Sequence, residues 1–202
     1  MNHWKLWSYK DHGKSYEAVY VRQHAPGFRW LHESFGTNWR MLEMQAVLGR
    51  IQLARMTEWS AARKRNAEAI WAACAEFAAL RVPQVRCASC PGSCAVAGAA
   101  CKHAHYKCYV YVQPERLVQG WTRDRIIGAI NAEGVPCYQG SCSEVYLEKA
   151  FDGTGWRPEV RLPVARELGE TSVMFLVHPT LTEAEIAKTC AAIKKVMGLA
   201  GM

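Results

Sequence analysis

The chain has 202 residues, half of them hydrophobic and 21% charged, a balance that fits a folded globular protein and excludes a disordered one. Its 25 Lys and Arg against 18 Asp and Glu give a net charge of +7, scattered along the chain, which suits a phosphorylated small molecule, a nucleic acid or an anionic membrane without selecting among them. No stretch approaches the ~18–20 apolar residues of a membrane helix, residues 1–10 lack the apolar core of a signal peptide, and nine cysteines make an odd count; the expectation is a cytoplasmic protein with reduced thiols, bound to neither membrane nor nucleic acid.

Residues 1–35 mix aromatic and basic side chains with the turn formers Asp11-His12-Gly13 and Pro26-Gly27 and show no sustained period. They read as strand ends and loops that need another body to pack against. From Met41 the pattern changes, because Met41, Met44, Val47, Leu48, Ile51 and Ala54, then Trp59, Ala62, Ile70, Ala73 and Phe77, recur at three- and four-residue spacing. That spacing predicts an amphipathic helix, or two in succession with a break near Trp59-Ser60. If unbroken over 40–77 it would span roughly 55 Å, the length of a helix that bridges two domains. A Cys/Gly/Ala segment at 86–101 is the clearest shift of composition and is read as a loop or insertion.

Beyond it, β-branched and aromatic content predicts a strand at 106–112. Thr122 then caps a helix whose apolar face is Ile126, Ile127 and Ile130, and 134–137 reads as an edge strand limited by Pro136. Residues 162–168 read as a short helix with Pro163 near its start, 172–177 as an apolar strand, and Thr182-x-x-Glu185 as a capping box opening a last helix through Met197. The expected fold is α/β, or α+β, with a small sheet covered by helices.

The run Phe35-Gly36-Thr37-Asn38-Trp39-Arg40-Met41-Leu42-Glu43-Met44-Gln45-Ala46 resembles the Gly-x-Asn-x-Arg-(Met/Leu)-x-Glu-x-Gln-Ala pattern of the DegT/DnrJ/StrS family of sugar-nucleotide aminotransferases. Further matches follow in order: Asp11-His12-Gly13 upstream, Arg65-Asn66-Ala67, His103-Ala104-x-Tyr106-Lys107, Glu133-Gly134-Val135-Pro136-Cys137 and Val177-His178-Pro179-x-Leu181-Thr182. The resemblance implies the C-terminal part of the aspartate-aminotransferase-like fold. On this division 1–40 is a remnant of the large cofactor-binding domain, 41–80 a long interdomain helix, and 81–202 the small domain with its Cys-rich loop. It also implies pyridoxal phosphate as cofactor, a nucleotide-linked keto sugar and glutamate as substrates, a role in cell-surface polysaccharide or related glycan synthesis, and a homodimer or pairing with an N-terminal half.

In the family the Schiff-base lysine lies upstream of a Gly-Glu-Gly-Gly stretch that precedes the residues resembling Trp7 to Gly13. Lys5, Lys10 and Lys14 fall on the wrong side of that motif, so no catalytic residue is assigned, and the expectation is a fragment catalytically incomplete by itself. The alternatives are a non-catalytic dimerisation or complementation subunit, and a zinc-binding module. Cut surfaces of the large domain are expected to drive self-association.

Asn38 has two readings. By position it is an N-cap for the helix that follows; by resemblance it reaches the phosphate of the partner subunit's cofactor, with Arg40 able to share that anion or to stay solvated. Tyr138, Gln139 and Ser141 form a polar loop, and His178 ends a strand; by resemblance Tyr138, Ser141 and His178 are the candidates for touching substrate, and as residues they are ordinary turn and strand-end content. Cys87, Cys90, Cys94 and Cys101, followed by His103, His105 and Cys108, hold enough soft ligands for tetrahedral zinc, yet a second CxxC is missing. The adopted reading is a loop of reduced thiols with no metal, that quartet being the ligand set if one binds. Here the sequence also departs from the family, which has a shorter, cysteine-poor linker and Tyr where His105 and Cys108 stand.

Overall fold

Strict alternation in Cys108-Tyr109-Val110-Tyr111-Val112 sends Cys108, Val110 and Val112 to one face, and in the computed structural model those three are buried while the tyrosines are half-exposed. The structure describes residues 3–23, 31–83 and 103–201. It divides into two units, residues 1–56 and 57–202.

The second unit is built on a four-stranded antiparallel sheet of β1 (Leu80–Arg81), β2 (Cys108–Val112), β3 (Cys137–Tyr138) and β4 (Ser172–Phe175), in the order β1-β2-β4-β3. Central β4 has all four residues buried, as an apolar run in the middle of a covered sheet should. Tyr109 pairs with Met174 and Tyr111 with Ser172, while Cys137 on β3 pairs with Phe175. The edge strand is short because Pro136 brings no N–H to the ladder. It is tied instead by Asn131, whose side chain donates to the Cys137 carbonyl at 2.8 Å and accepts from the Cys137 N–H at 3.1 Å.

Helices close the core: the end of α3 (Glu43–Ala75), α4 (Arg123–Ala132) and α6 (Glu183–Ala200) contribute Ile70, Ile126, Ile130, Ile193 and Met197, all essentially sealed from solvent. Each such side chain contributes about 1.5–3 kcal/mol by burial. Trp71 anchors α3 to β2 by donating its indole N–H to the Tyr109 carbonyl at 3.0 Å. Thr122 caps α4 and Thr182 with Glu185 forms a reciprocal capping box on α6, as the sequence signals predict. The helix expected over 162–168 extends as α5 (Pro163–Thr171), with Pro163 in its first turn.

The first unit corrects an expectation. Of the residues 1–35 read as strand ends and loops, two stretches form short helices, α1 (His3–Lys10) and α2 (Tyr16–Tyr20), Asp11, Lys14 and His32 make bridges as strand ends do, and the turn read at Pro26-Gly27 lies outside the described residues. The helices escaped a periodicity search because they are held by ring contacts rather than by an apolar stripe: Trp7 meets both Tyr16 and Tyr20, at 5.5 and 6.0 Å between centroids, and Ser15 caps α2. The turn at Asp11-His12-Gly13 is present, with His12 and Gly13 both at positive φ. Only glycine fits at 13, because a Cβ there would stand 1.7 Å from the Ser34 carbonyl oxygen. Of the two readings left open, one helix or two with a break near Trp59-Ser60, α3 takes the first; neither residue removes a helical hydrogen bond.

Candidate functional site

Two arrangements carry the candidate residues, one in each unit. In the first, residues 9–12 and 37–39 run antiparallel: the Thr37 N–H donates to the Tyr9 carbonyl at 2.7 Å, the His12 N–H to Thr37 at 3.0 Å and the Trp39 N–H to Lys10 at 3.0 Å. This bridge pairs Asn38 with Asp11 and so joins the two motifs that the sequence singles out. Asp11 is buried, accepts from the Arg40 guanidinium and sits 3.6 Å from Lys14. Burial pushes its carboxyl upward, but the Arg40 hydrogen bond and the charges of Lys14, Arg40 and Lys10 outweigh that and hold it below the usual carboxylate range.

Asn38 is not the helix cap. α3 begins five residues later, where Gln45 reaches back to accept from the Leu42 N–H at 2.9 Å and meets the need that a capping side chain would have met. Instead, the Asn38 side-chain oxygen accepts from the Arg40 N–H at 3.4 Å. That leaves its exposed amide nitrogen without a protein acceptor among the described residues. Next to it the Thr37 hydroxyl is buried and also lacks a partner. An amide donor fixed at its oxygen, on a turn where Arg40 and Lys14 gather at Asp11, is suited to an anion such as a phosphate. Lys10 lies 6.0 Å over the Trp7 ring, and Lys14 is 3.6 Å from Asp11.

In the second unit a cleft of ≈ 530 Å³ opens between the 139–148 loop and the end of α5, lined by Gln139, Ser141, Cys142, Glu144, Glu148 and Glu170 among others. Ser141 is held from two sides. Its hydroxyl accepts from Lys107 at 2.9 Å and its N–H donates to the Tyr109 hydroxyl at 3.1 Å. Gly140, at φ +97, permits this approach, since a Cβ would come within 2.4 Å of the Tyr109 ring. Burial raises the Tyr109 phenol, but the hydrogen bonds from Ser141 and the Lys107 charge prevail and leave it lowered.

The far side of the cleft is fixed by Glu144, which takes both Nε (2.9 Å) and Nη2 (2.5 Å) of Arg161 and the Tyr146 hydroxyl at 2.6 Å. The Arg161 and Tyr146 hydrogen bonds push the Glu144 carboxyl down to about 2. Arg157 braces the same loop by donating to the carbonyls of Tyr146, Leu147 and Glu148.

Of the three substrate candidates, only Ser141 lines the cleft. Tyr138 is exposed on the edge strand, its backbone paired with Met174. His178 lies in the turn after β4, its Nδ1 2.6 Å from the Thr180 hydroxyl and its carbonyl accepting from Asn66 at 3.2 Å, which is strand-end stabilisation. Glu144 and Arg161 were not legible in the sequence, being 17 residues apart in a loop without period. Lys107 carried a signal through its motif, but not one that named Ser141.

Cys87, Cys90, Cys94 and Cys101 lie outside the described residues. Of the ligands after them, His103 Nδ1 accepts from the His105 N–H at 3.0 Å, and the Cys108 thiol is buried in β2 and pushed up to about 12. Among the described residues no three His, Cys, Asp or Glu side chains are placed to hold a metal.

The sequence profile of the DegT/DnrJ/EryC1/StrS aminotransferase family matches residues 8–194. An aminotransferase from Psychrobacter cryohalolentis is 61% identical, with a TM-score of 0.84, over 96% of this chain and 48% of its own. A DegT/DnrJ/EryC1/StrS aminotransferase from Brucella abortus (22% identity, TM-score 0.69, 96% of this chain and 43% of its own) shares the fold. So does the Helicobacter pylori aminotransferase PseC, involved in pseudoaminic acid biosynthesis (14%, 0.72, 97% and 46%). The chain thus spans about half the length of the solved relatives it matches. No curated protein matches it.

Proposed function

The chain belongs to the DegT/DnrJ/EryC1/StrS aminotransferase family, and on that premise we propose that it carries the C-terminal part of a pyridoxal-phosphate enzyme moving an amino group from glutamate to a keto group on a nucleotide-linked sugar. The product class is an amino sugar for cell-surface polysaccharide or a related glycan. Residues 1–40 belong to the large domain in this reading, 41–80 to the interdomain helix and 81–202 to the small domain.

The observation that carries the reading is Asn38. Its oxygen is committed to the Arg40 backbone while its amide N–H₂ has no acceptor among the described residues, and its bridge partner Asp11 gathers Arg40 and Lys14 at the same turn. These residues fit the phosphate end of pyridoxal phosphate, and in a dimer they would serve the cofactor of the partner subunit. When bound, the cofactor supplies the carbonyl and the electron-withdrawing ring that amino-group transfer requires. Asn38 donates to a phosphate oxygen, Asp11 orients Arg40 beside it, and the Lys107–Ser141–Tyr109 chain holds one wall of a polar cleft against sugar hydroxyls. None of Lys5, Lys10 and Lys14 takes the role of covalent anchor.

The test is amino-group transfer from glutamate across a panel of nucleotide-linked keto sugars, using the chain assembled with the remainder of the fold. Turnover is expected, with Asn38→Ala weakening cofactor retention by roughly tenfold or more, the worth of a charge-assisted hydrogen bond. Unchanged retention in that variant would remove Asn38 from the site. A second reading, a non-catalytic complementation subunit, is favoured by the uncovered apolar side chains of the first unit.

A further inference from the structure

The walls of the cleft in the second unit have different groups left to offer a ligand. On one side the Ser141 hydroxyl accepts from Lys107 at 2.9 Å, and because an ammonium only donates, the serine has its own proton to give. The Ser141 backbone N–H is spent on the Tyr109 hydroxyl at 3.1 Å. On the far side Glu144 is saturated by Arg161 and Tyr146, whereas the carboxylate of Glu148 has no partner among the described residues. Leu147 beside it lines the cleft as well and is 41% exposed. A positioned donor, a charged acceptor and a small apolar surface thus share ≈ 530 Å³, room for one sugar ring with a substituent.

Four kinds of ligand group meet these walls differently. A phosphate needs cations, and those around the cleft are engaged: Arg161 with Glu144, Arg157 with the carbonyls of Tyr146, Leu147 and Glu148, and Lys107 with Ser141. An ammonium would pair with Glu148 but has nothing to accept from Ser141 and no use for Leu147. A bare hydroxyl suits either wall and leaves Leu147 in water. An acylamino group answers all three, since its carbonyl accepts from Ser141, its N–H donates to Glu148 and its alkyl end covers Leu147.

We propose that this cleft is the subsite for an acylamino substituent, so that the substrate class is a nucleotide-linked keto sugar bearing an acetamido-type group. Ser141 and Glu148 determine that specificity, and Lys107 is a positioning residue that acts through Ser141. The inference rests on the reading of the cleft as a sugar site, but its test needs no amino-group transfer.

Cys142 lines the cleft with an exposed thiol and reports its occupancy. The 202-residue chain is alkylated with iodoacetamide in the presence of N-acetylglucosamine, glucosamine or glucose. The rate at Cys142 is followed by peptide mass spectrometry, with Cys190 on α6, which does not line the cleft, as internal reference. N-acetylglucosamine is expected to protect Cys142 saturably at concentrations roughly tenfold below those the other two sugars need, the worth of one hydrogen bond to a charged group, and to leave Cys190 unchanged. Ser141→Ala and Glu148→Ala should each remove that preference; Lys107→Met should weaken it and Lys107→Arg restore it. Equal protection by the three sugars, stronger protection by glucosamine, or no protection at all overturns the inference, and this comparison on the unaltered chain decides it even if a variant fails to fold. Protection as expected, with no amino-group transfer by the assembled enzyme, leaves the subsite standing and contradicts the proposed activity instead.

Discussion

His105 combines burial with a left-handed backbone. It is only 4% exposed, sits at a positive φ of 45°, lies tilted against Trp71 at 5.4 Å and edge-on to His103 at 4.5 Å between centroids, and has a buried Nδ1 without a partner. Burial lowers its pKa, helped by the charges of His103 and Lys64 and opposed by Glu68. A histidine depressed in the folded state favours unfolding when protonated. Its contribution is intact above the ordinary value of 6.5 and is lost as the pH falls below it. The melting temperature should drop between neutral pH and about pH 5, and His105→Phe, which keeps a ring against Trp71, should flatten that drop; an unchanged slope in the variant would contradict this assignment. Glu144 acts in a lower window. Its depressed carboxyl stabilises the 139–162 loop above 4.5, and the contribution is lost as pH falls toward 2. Arg161→Ala, which leaves only the Tyr146 hydrogen bond on Glu144, should weaken that acid limb and open the cleft to proteolysis at neutral pH, readable as new cleavage between 143 and 161. The sequence shows neither effect, because both depend on which side chains meet across loops.

Elements divide according to what made them visible. α4, β2 and α6 were legible because their caps and periods act within a few residues: Thr122, the alternation of Cys108–Val112, and the Thr182 and Glu185 box. α1 and α2 were not, since their support is a set of Trp and Tyr rings with no helical stripe, and two-residue β1 is a product of pairing with Val112 and Tyr111 rather than of its own composition. The long helix α3 reads in sequence as one amphipathic element or two in succession; it is one, yet its two ends differ. Ile70 is sealed in the core and Ile51 stands in water. A sequence pattern records that a side chain is meant for burial and is silent on what buries it. Ile193→Ala on α6 should therefore cost about 2–5 kcal/mol, whereas Ile51→Ala in the isolated chain should change stability by no more than about 0.5 kcal/mol. Chemical denaturation of both variants decides this, and a large loss from Ile51→Ala would mean that the first half of α3 is already covered.

At the scale of the whole molecule, family membership was readable from an ordered set of motifs, and the structure explains why two of them are spaced as they are. Asp11-His12-Gly13 and Gly36-Thr37-Asn38 lie 25 residues apart and meet in one antiparallel bridge, with Gly13 allowing the close approach and Arg40 closing on Asp11. The role proposed for Asn38 comes from resemblance alone; that its amide nitrogen has no acceptor among the described residues comes from the geometry. The reading of these 202 residues as serving the phosphate of a cofactor anchored on another polypeptide segment is tested most directly by adding one equivalent of pyridoxal phosphate to the isolated chain, reducing with borohydride, and mapping modified lysines by mass spectrometry. The expected result is no single labelled site in the chain by itself, with one stoichiometric site appearing on the other half once the two are assembled. A stoichiometric label on one lysine of this chain, formed without the other half, would contradict it.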